Sequence, residues 1–299
     1  MTGATVVIDL GGTHLRVSHL DESGPHPAGR TLLTEALRQA EPVGFLAEVV
    51  REYVRTENLA LGGVVVGVPF TPDKALSTAV SSPNIPNLEG APLKTEMAER
   101  LGCPVVLERD INLLLMGEWA AGAARGVGSA FGMFVGTGIG GCYLEGGLPF
   151  RGSTGAALEL GHIPIRAEGR RCVCGNLDCA EAYACGGVLN RLALEVGINV
   201  GDIFTQGLGR SDLRETLLMF TDDLARTLAT GVNLFHPEVA LIGGGVVTMP
   251  GFPRERFRET FFRHLRRPVP SETVELRWAG LGSRASLYGA QVILRRTDA

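Results

Sequence analysis

The stretch TVVIDLGGTHLRVSHL, residues 5–20, decides the fold. Its apolar run Val6–Leu10 stops at Gly11 and Gly12, after which Leu15 and Val17 alternate with polar residues. That is the pattern of strand, tight turn, strand. The same order returns in AFGMFVGTGIGGCYL, residues 130–144: an apolar run to Val135, then Gly136, Thr137, Gly138, Gly140 and Gly141, then Cys142 to Leu144. A further apolar strand, Val239–Ile242, runs into Gly243, Gly244 and Gly245. Recurrence of strand, glycine turn and strand in both halves predicts two related α/β domains. The expected border lies near residue 117, giving 1–117, to which a last helix over 286–299 returns, and 118–285.

Between these landmarks helices and strands alternate. Phe45, Leu46, Val49, Val50, Tyr53 and Val54 share one face of a predicted helix, and Gly63–Val68 reads as a buried strand closed by Pro69. Residues 81–92, rich in Pro, Asn and Gly, are a predicted loop. The short strand Val105–Leu107 puts Asp110 just past its carboxyl end, where open α/β sheets gather their ligands. Helices are predicted over Leu113–Ala124, Val188–Glu195, Leu213–Leu234 and Ser286–Arg295. Arg254–Arg267 is arginine-rich, but Phe257, Phe261 and Leu265 recur at helical spacing and Glu255 and Glu259 interrupt the charge. It reads as the solvated side of an amphipathic helix, not a nucleic-acid contact.

Bulk properties narrow the function. The 299 residues are 45% apolar and 20% charged, as in a globular enzyme. A net charge of -4 gives no general attraction to nucleic acid and favours small-molecule partners. No apolar stretch reaches the length of a membrane span and the amino terminus has no leader pattern, so a cytoplasmic protein without membrane partners is expected. The 41 glycines are clustered, marking places where backbone turns sharply or approaches a ligand.

Gly136, Gly138 and Gly141 satisfy the dinucleotide spacing, yet that fingerprint needs a helix to follow and here a strand follows. No glycine turn is followed by the Lys-Ser or Lys-Thr of a P-loop. Glycine-threonine hairpin turns hold phosphate differently: converging backbone N–H groups meet the oxygens, and Thr13 or Thr137 adds a hydroxyl. Two such turns across a cleft would clamp a nucleoside triphosphate. Asp9 ends a buried apolar strand, where a carboxylate is costly unless paired or near a metal, and is expected to approach the magnesium of that nucleotide.

His162, Cys172, Cys174 and Cys179 offer one imidazole and three thiolates, the number and softness of a closed tetrahedral zinc site. Filled by four protein ligands, such a zinc is structural. The second nitrogen of His162 would then either face a substrate hydroxyl or serve only to orient the ring.

These residues resemble the ROK family (repressors, open reading frames and kinases) over nearly the whole chain. DLGGTHLRV, spanning Asp9 to Val17 and including His14, looks like its first phosphate motif, FVGTGIGG its second, and LIGGGV its adenosine motif. LELGHIPIRAEGRRCVCGNLDCAE, residues 158–181, is similar to its zinc signature. The resemblance implies the actin-like ATPase (ribonuclease H-like) fold, with two related domains around a central cleft. It also implies magnesium-ATP as phosphate donor, transfer to a sugar hydroxyl, usually on C6, and a homodimer or homotetramer.

By the same resemblance Asp110 matches the catalytic aspartate, and Glu159, His162 and Glu181 match sugar-hydroxyl ligands. Asn84, in SSPNIPNL, either reaches the sugar or is ordinary turn chemistry. Two positions depart from the common pattern: Arg109 stands where many relatives have asparagine, and Asp178 where they have glycine. Arg109 and the runs SSPNIPNL, RDINL, LELGHIPI, NLFHPEVALIGGGV and MPGFPRE resemble the D-allose kinases within the family, and by that resemblance D-allose is the first sugar expected. Glucose, fructose and N-acetylmannosamine remain as alternatives. With the first phosphate motif beginning at Asp9, no DNA-binding segment is expected ahead of it. A non-catalytic sugar-binding regulator is the rival reading, and retention of Asp110 and both turns speaks against it.

Overall fold

Strand β1, Ala4–Leu10, is buried along its whole length because it is covered on both faces. A computed structural model describes residues 3–82 and 85–297. Asn84 lies outside the described residues. The chain forms two compact units, one of Met1–Gly122, Leu148–Ala157 and Ser283–Ala299, the other of Ala123–Gly147 and Leu158–Gly282. Residue 117, the expected border, falls inside a helix of the first unit.

In the first unit β1 pairs antiparallel with β2 (His14–Asp21), which continues to β3 (Gly24–Leu33). On its other side β1 runs parallel to β4 (Leu61–Val68), and β4 to β5 (Val105–Arg109), giving the order β3-β2-β1-β4-β5. Alternation divides the core. Val6, Ile8 and Leu10 with Val64, Val66 and Val68 face the helix α1 (Pro42–Thr56), while Val7 and Val65 pack with Leu113, Leu287 and Ala290. Each Val or Ile so buried contributes about 1.5–3 kcal/mol. The start of α1 is set locally: Glu41 accepts from the N–H groups of Val43 and Gly44, and Pro42 takes the first helical position.

The helix α2 runs Asp110–Ala121, three residues earlier at each end than the apolar pattern predicts. It starts where β5 stops, without an intervening loop, and Gly122 caps it. The C-terminal helix, Ala285–Thr297, crosses α2 with backbones in close approach. A Cβ on Gly117 would collide with the carbonyl of Ala285, and one on Gly289 with that of Leu113.

The second unit repeats the plan. Strands β6 (Ser129–Val135) and β7 (Ile139–Glu145) form the antiparallel pair, and β8 (Val239–Gly243) and β9 (Glu275–Trp278) add in parallel, in the order β7-β6-β8-β9. Helix α3 is the single turn Ala180–Tyr183, α4 spans Gly186–Val196 and α5 spans Arg214–Phe235. Gly231 of α5 admits the ring of Phe131. No helix among the described residues is long and apolar enough to cross a membrane.

The helix crossing yields a test. Gly289→Ala forces a methyl onto a backbone carbonyl and is expected to lower the unfolding free energy by about 1–3 kcal/mol in a urea titration, despite the better helix propensity of alanine. Gly280→Ala, exposed with nothing within 4 Å of the added carbon, is expected to leave the midpoint unchanged.

Candidate functional site

The carboxyl ends of β1, β4 and β5 bring three positions side by side: Asp9 pairs in register with Gly67, and Gly67 with Glu108. Asp110 follows β5 as the first residue of α2. A Cβ on Gly67 would lie 2.9 Å from the Leu113 side chain and 3.5 Å from the Asp110 Cα. The glycine therefore lets Leu113 and the start of α2 pack directly against β4. Asp9 is only 9% exposed. Burial pushes its carboxyl above the usual range, opposed by the Arg16 guanidinium 3.5 Å away. A site that resists a bare negative charge here favours a cation. The Ile111 N–H donates to Asp110 Oδ1 at 2.7 Å and sets the orientation of that carboxylate.

Arg109 donates through Nη1 to the Ala157 carbonyl at 2.6 Å. Its neighbour Glu108 is buried, accepts from Asn112 Nδ2 at 2.8 Å and from the Arg109 N–H at 3.0 Å, and pairs with Arg151. The residues on the amino-terminal side of Asp110 thus fasten the Leu148–Ala157 segment of their own unit.

Both glycine turns have their carbonyls tied down. In the first, Thr34 Oγ1 donates to the Gly11 carbonyl at 2.7 Å, Arg38 to that of Gly12 at 2.7 Å, and the Thr34 N–H to that of Thr13 at 3.0 Å. The Gly11 N–H closes the turn on the His14 carbonyl at 2.9 Å. In a trans peptide the next N–H points opposite to each carbonyl, so the amides of Gly12, Thr13 and His14 face the other way. The second turn is built alike. The N–H groups of Gly186 and Gly187, opening α4, donate to the carbonyls of Gly136 and Thr137 at 2.8 and 3.1 Å. The amides of Thr137 and Gly138 turn outward, and the backbone of Gly140 continues into β7. Such rows of N–H groups suit phosphate oxygens.

Glu181, on α3, accepts the Ile139 N–H at 2.7 Å and lies where a side chain on Gly138 would be. The second turn and this expected sugar ligand are therefore built as one piece. Glu159 precedes, and His162 ends, the single helical turn Leu160–His162, with Glu159 Oε2 3.9 Å from His162 Nε2. Leu158, just before, holds a left-handed φ of +65°. Its carbonyl passes where Gly141 has no side chain, 2.9 Å from where a Cβ would be.

The other imidazole nitrogen, Nδ1, lies 3.5 Å from Cys172 Sγ, and Cys174 Sγ lies 3.7 Å from Cys179 Sγ. All four ligand atoms are within 4.8 Å of one another. Tetrahedral zinc, with bonds of about 2.3 Å to sulfur and about 2.0 Å to nitrogen, spaces sulfurs about 3.8 Å apart and sulfur from nitrogen about 3.6 Å. The donor set fits zinc in number, type and spacing. Burial, then hydrogen bonds with Cys174 and Cys172, push the Cys179 thiol up to about 12, whereas at Cys174 burial is outweighed by hydrogen bonds from Asn176, Cys172 and Cys179, which lower its thiol. No disulfide forms among the described residues.

Of the triple glycine, two members are explained by packing. Gly243 faces Ala279 and Phe134, and Gly244, at φ +97°, lies against the backbone of Val135. Gly245 has nothing within 4 Å of its would-be Cβ, so it is the member open to a ligand. Sequence reasoning missed Gly67, Thr34, Arg38, Glu108 and Arg151. Gly67 left a trace as a glycine interrupting a valine run; the others carry no local signal.

A ROK family model matches residues 5–297. Among curated relatives, the glucokinase of Streptomyces coelicolor is 29% identical, with 99% of each chain covered, and that of Thermotoga maritima 30%, with 96% of each covered. The glucokinase of Streptomyces griseus, solved with glucose and AMPPNP, superposes with a TM-score of 0.80 at 27% identity, covering 98% of this chain and 100% of that one. The fold is that of the actin-like ATPases, and with a match over nearly its whole length the chain belongs to the ROK family.

Proposed function

We propose that this ROK-family enzyme transfers the γ-phosphoryl group of ATP to the C6 hydroxyl of an aldohexose, with D-glucose as the first sugar. The chain is an ATP-dependent carbohydrate kinase. The observation that carries the reading is the placement of Asp110 at the end of β5, beside the side-chain-free Gly67 and the buried Asp9. Asp110 accepts the proton of the attacking hydroxyl while the hydroxyl oxygen bonds the γ-phosphorus, and the bond from the γ-phosphorus to the bridging oxygen breaks, its electron pair leaving with ADP. Asp9 holds the magnesium that comes with ATP, whose charge offsets that of the phosphate oxygens. The amides of Gly12, Thr13 and His14 and of Thr137 and Gly138 bind phosphate, and Gly245 with its two neighbours flanks the adenosine. Glu159 and Glu181 accept hydrogen bonds from sugar hydroxyls, His162 donates one through Nε2–H, and Asn84 adds to that set.

D-Glucose is named first because two full-length relatives carry glucokinase names. D-Allose, its C3 epimer, is the second reading, supported by the sequence resemblance that Arg109 and its neighbouring runs carry. The proposed zinc at His162, Cys172, Cys174 and Cys179 is structural: it holds His162 through Nδ1 and leaves Nε2 on the side of Glu159. The reduced thiols fit a cytoplasmic setting.

Turnover of D-glucose, D-allose, D-fructose and N-acetylmannosamine, followed by ADP release, is expected to be highest for glucose. Asp110→Asn is expected to lower kcat by about 100- to 10,000-fold with folding intact. Equal turnover in the mutant removes Asp110 from the mechanism; preference for allose selects the second reading. Elemental analysis of purified protein is expected to give one zinc per chain, and its removal by a chelator to weaken sugar binding. Sedimentation at micromolar concentration is expected to show a homodimer or homotetramer; a monomer alone would overturn that assembly.

A further inference from the structure

Asp178 occupies a backbone position made for glycine. Its φ is +61°, in the left-handed region that side chains disfavour, and it directly precedes Cys179. Yet the residue is 8% exposed and its carboxylate gathers three successive backbone donors: Oδ1 accepts from Arg170 at 2.9 Å and Glu168 at 3.3 Å, and Oδ2 from Gly169 at 3.0 Å. The Tyr183 hydroxyl donates to Oδ1 as a fourth bond. Main-chain bonds run the same way, from Asp178 N–H to the Arg170 carbonyl at 2.8 Å and from Ile165 N–H to the Asp178 carbonyl at 3.0 Å. Tyr183 is itself held between the guanidinium groups of Arg166 and Arg170, each 4.6 Å from its ring centre. Arg170 also donates to the Ala182 carbonyl at 3.1 Å, and Arg166 pairs with the buried Asp223.

These contacts join the entry to the cysteine-rich loop, at 168–170, to its exit at Cys179 and to α3, which bears Glu181. None of them uses a thiol or an imidazole. We propose that Asp178 is a positioning residue that closes this loop through its carboxylate, so that Cys172, Cys174 and Cys179 are assembled around His162 before a metal arrives. The inference rests on the zinc reading of that cluster. A carboxylate is retained at a strained position because a glycine, though easier for the backbone, leaves three N–H groups and a tyrosine hydroxyl without their shared acceptor.

Asp178→Gly separates the two contributions, since it relieves the backbone and deletes the carboxylate. Arg170 and Arg171 are exposed in the loop and report its order as trypsin sites. In zinc-stripped protein, cleavage after these arginines is expected to be slow in the parent, at least about tenfold faster in Asp178→Gly, and intermediate in Asp178→Asn, which keeps one acceptor oxygen. Tyr183→Phe, which deletes a single hydroxyl, is expected to accelerate cleavage modestly and serves if the glycine variant does not fold. Competition with a chromogenic chelator is expected to show zinc held about 10- to 100-fold more weakly by Asp178→Gly. Equal cleavage of zinc-stripped parent and Asp178→Gly overturns the proposal, as does rapid cleavage of both. A parent that binds no zinc fails the metal reading alone, because the proteolysis comparison still decides whether the carboxylate orders the loop.

Discussion

Strand β1 has no face that meets water: Val6, Ile8 and Leu10 lie against one layer of the first unit and Val7 against the other. A strand enclosed on both sides has side chains free for chemistry only where it runs out. Asp9, at that end, is therefore a carboxyl at the margin of a core, and it sits above the ordinary range because burial outweighs Arg16. The same enclosure dictates Gly67 one strand over, since any side chain there meets Leu113 and the backbone of Asp110. Helix α2 starts at Asp110 without a connecting loop, so the carboxylate inherits the rigidity of β5 and of the helix together.

The two glycine turns share a device that is not a motif in the usual sense. Each has its carbonyls taken by donors from elsewhere in its own unit, Thr34 and Arg38 for the first and the amino end of α4 for the second. Peptide planarity converts that restraint into a fixed direction for the intervening N–H groups. Pre-set donors lose little freedom when a phosphate arrives, which is where their advantage over flexible lysines lies. In the second turn the same compactness reaches Glu181, whose carboxylate fills the space left by Gly138 and accepts the Ile139 N–H.

The cysteine-rich loop is organised in two layers. The inner layer is the thiol and imidazole set, and the outer is the carboxylate of Asp178 with Tyr183, Arg166 and Arg170. Outer contacts of this kind orient ligands and govern how readily a site gives up its metal. His162 connects the loop to Glu159 through opposite sides of one ring, with Nδ1 toward Cys172 and Nε2 toward the carboxylate.

The sequence by itself determined the repeated strand, turn and strand, the cysteine-histidine cluster and the family, because each is written in residues close together along the chain. Period-two alternation and glycine punctuation are local physics, and so is a Cys-rich loop with its histidine. Helix α2 beginning at Asp110 itself escaped the apolar pattern, since its first turn is defined by the end of β5 and not by hydrophobic spacing. Only the tertiary structure decided that Thr34 and Arg38 brace a turn more than twenty positions earlier, that Arg151 pairs with Glu108, and that Gly117 and Gly289 let two helices touch. It also decided that Gly243 and Gly244 serve packing while Gly245 stays open, and that Asp178 binds three amides from a left-handed turn. Those partners are distant in the chain, and a hydrogen bond or a steric limit between distant residues leaves no periodic trace for a sequence to show.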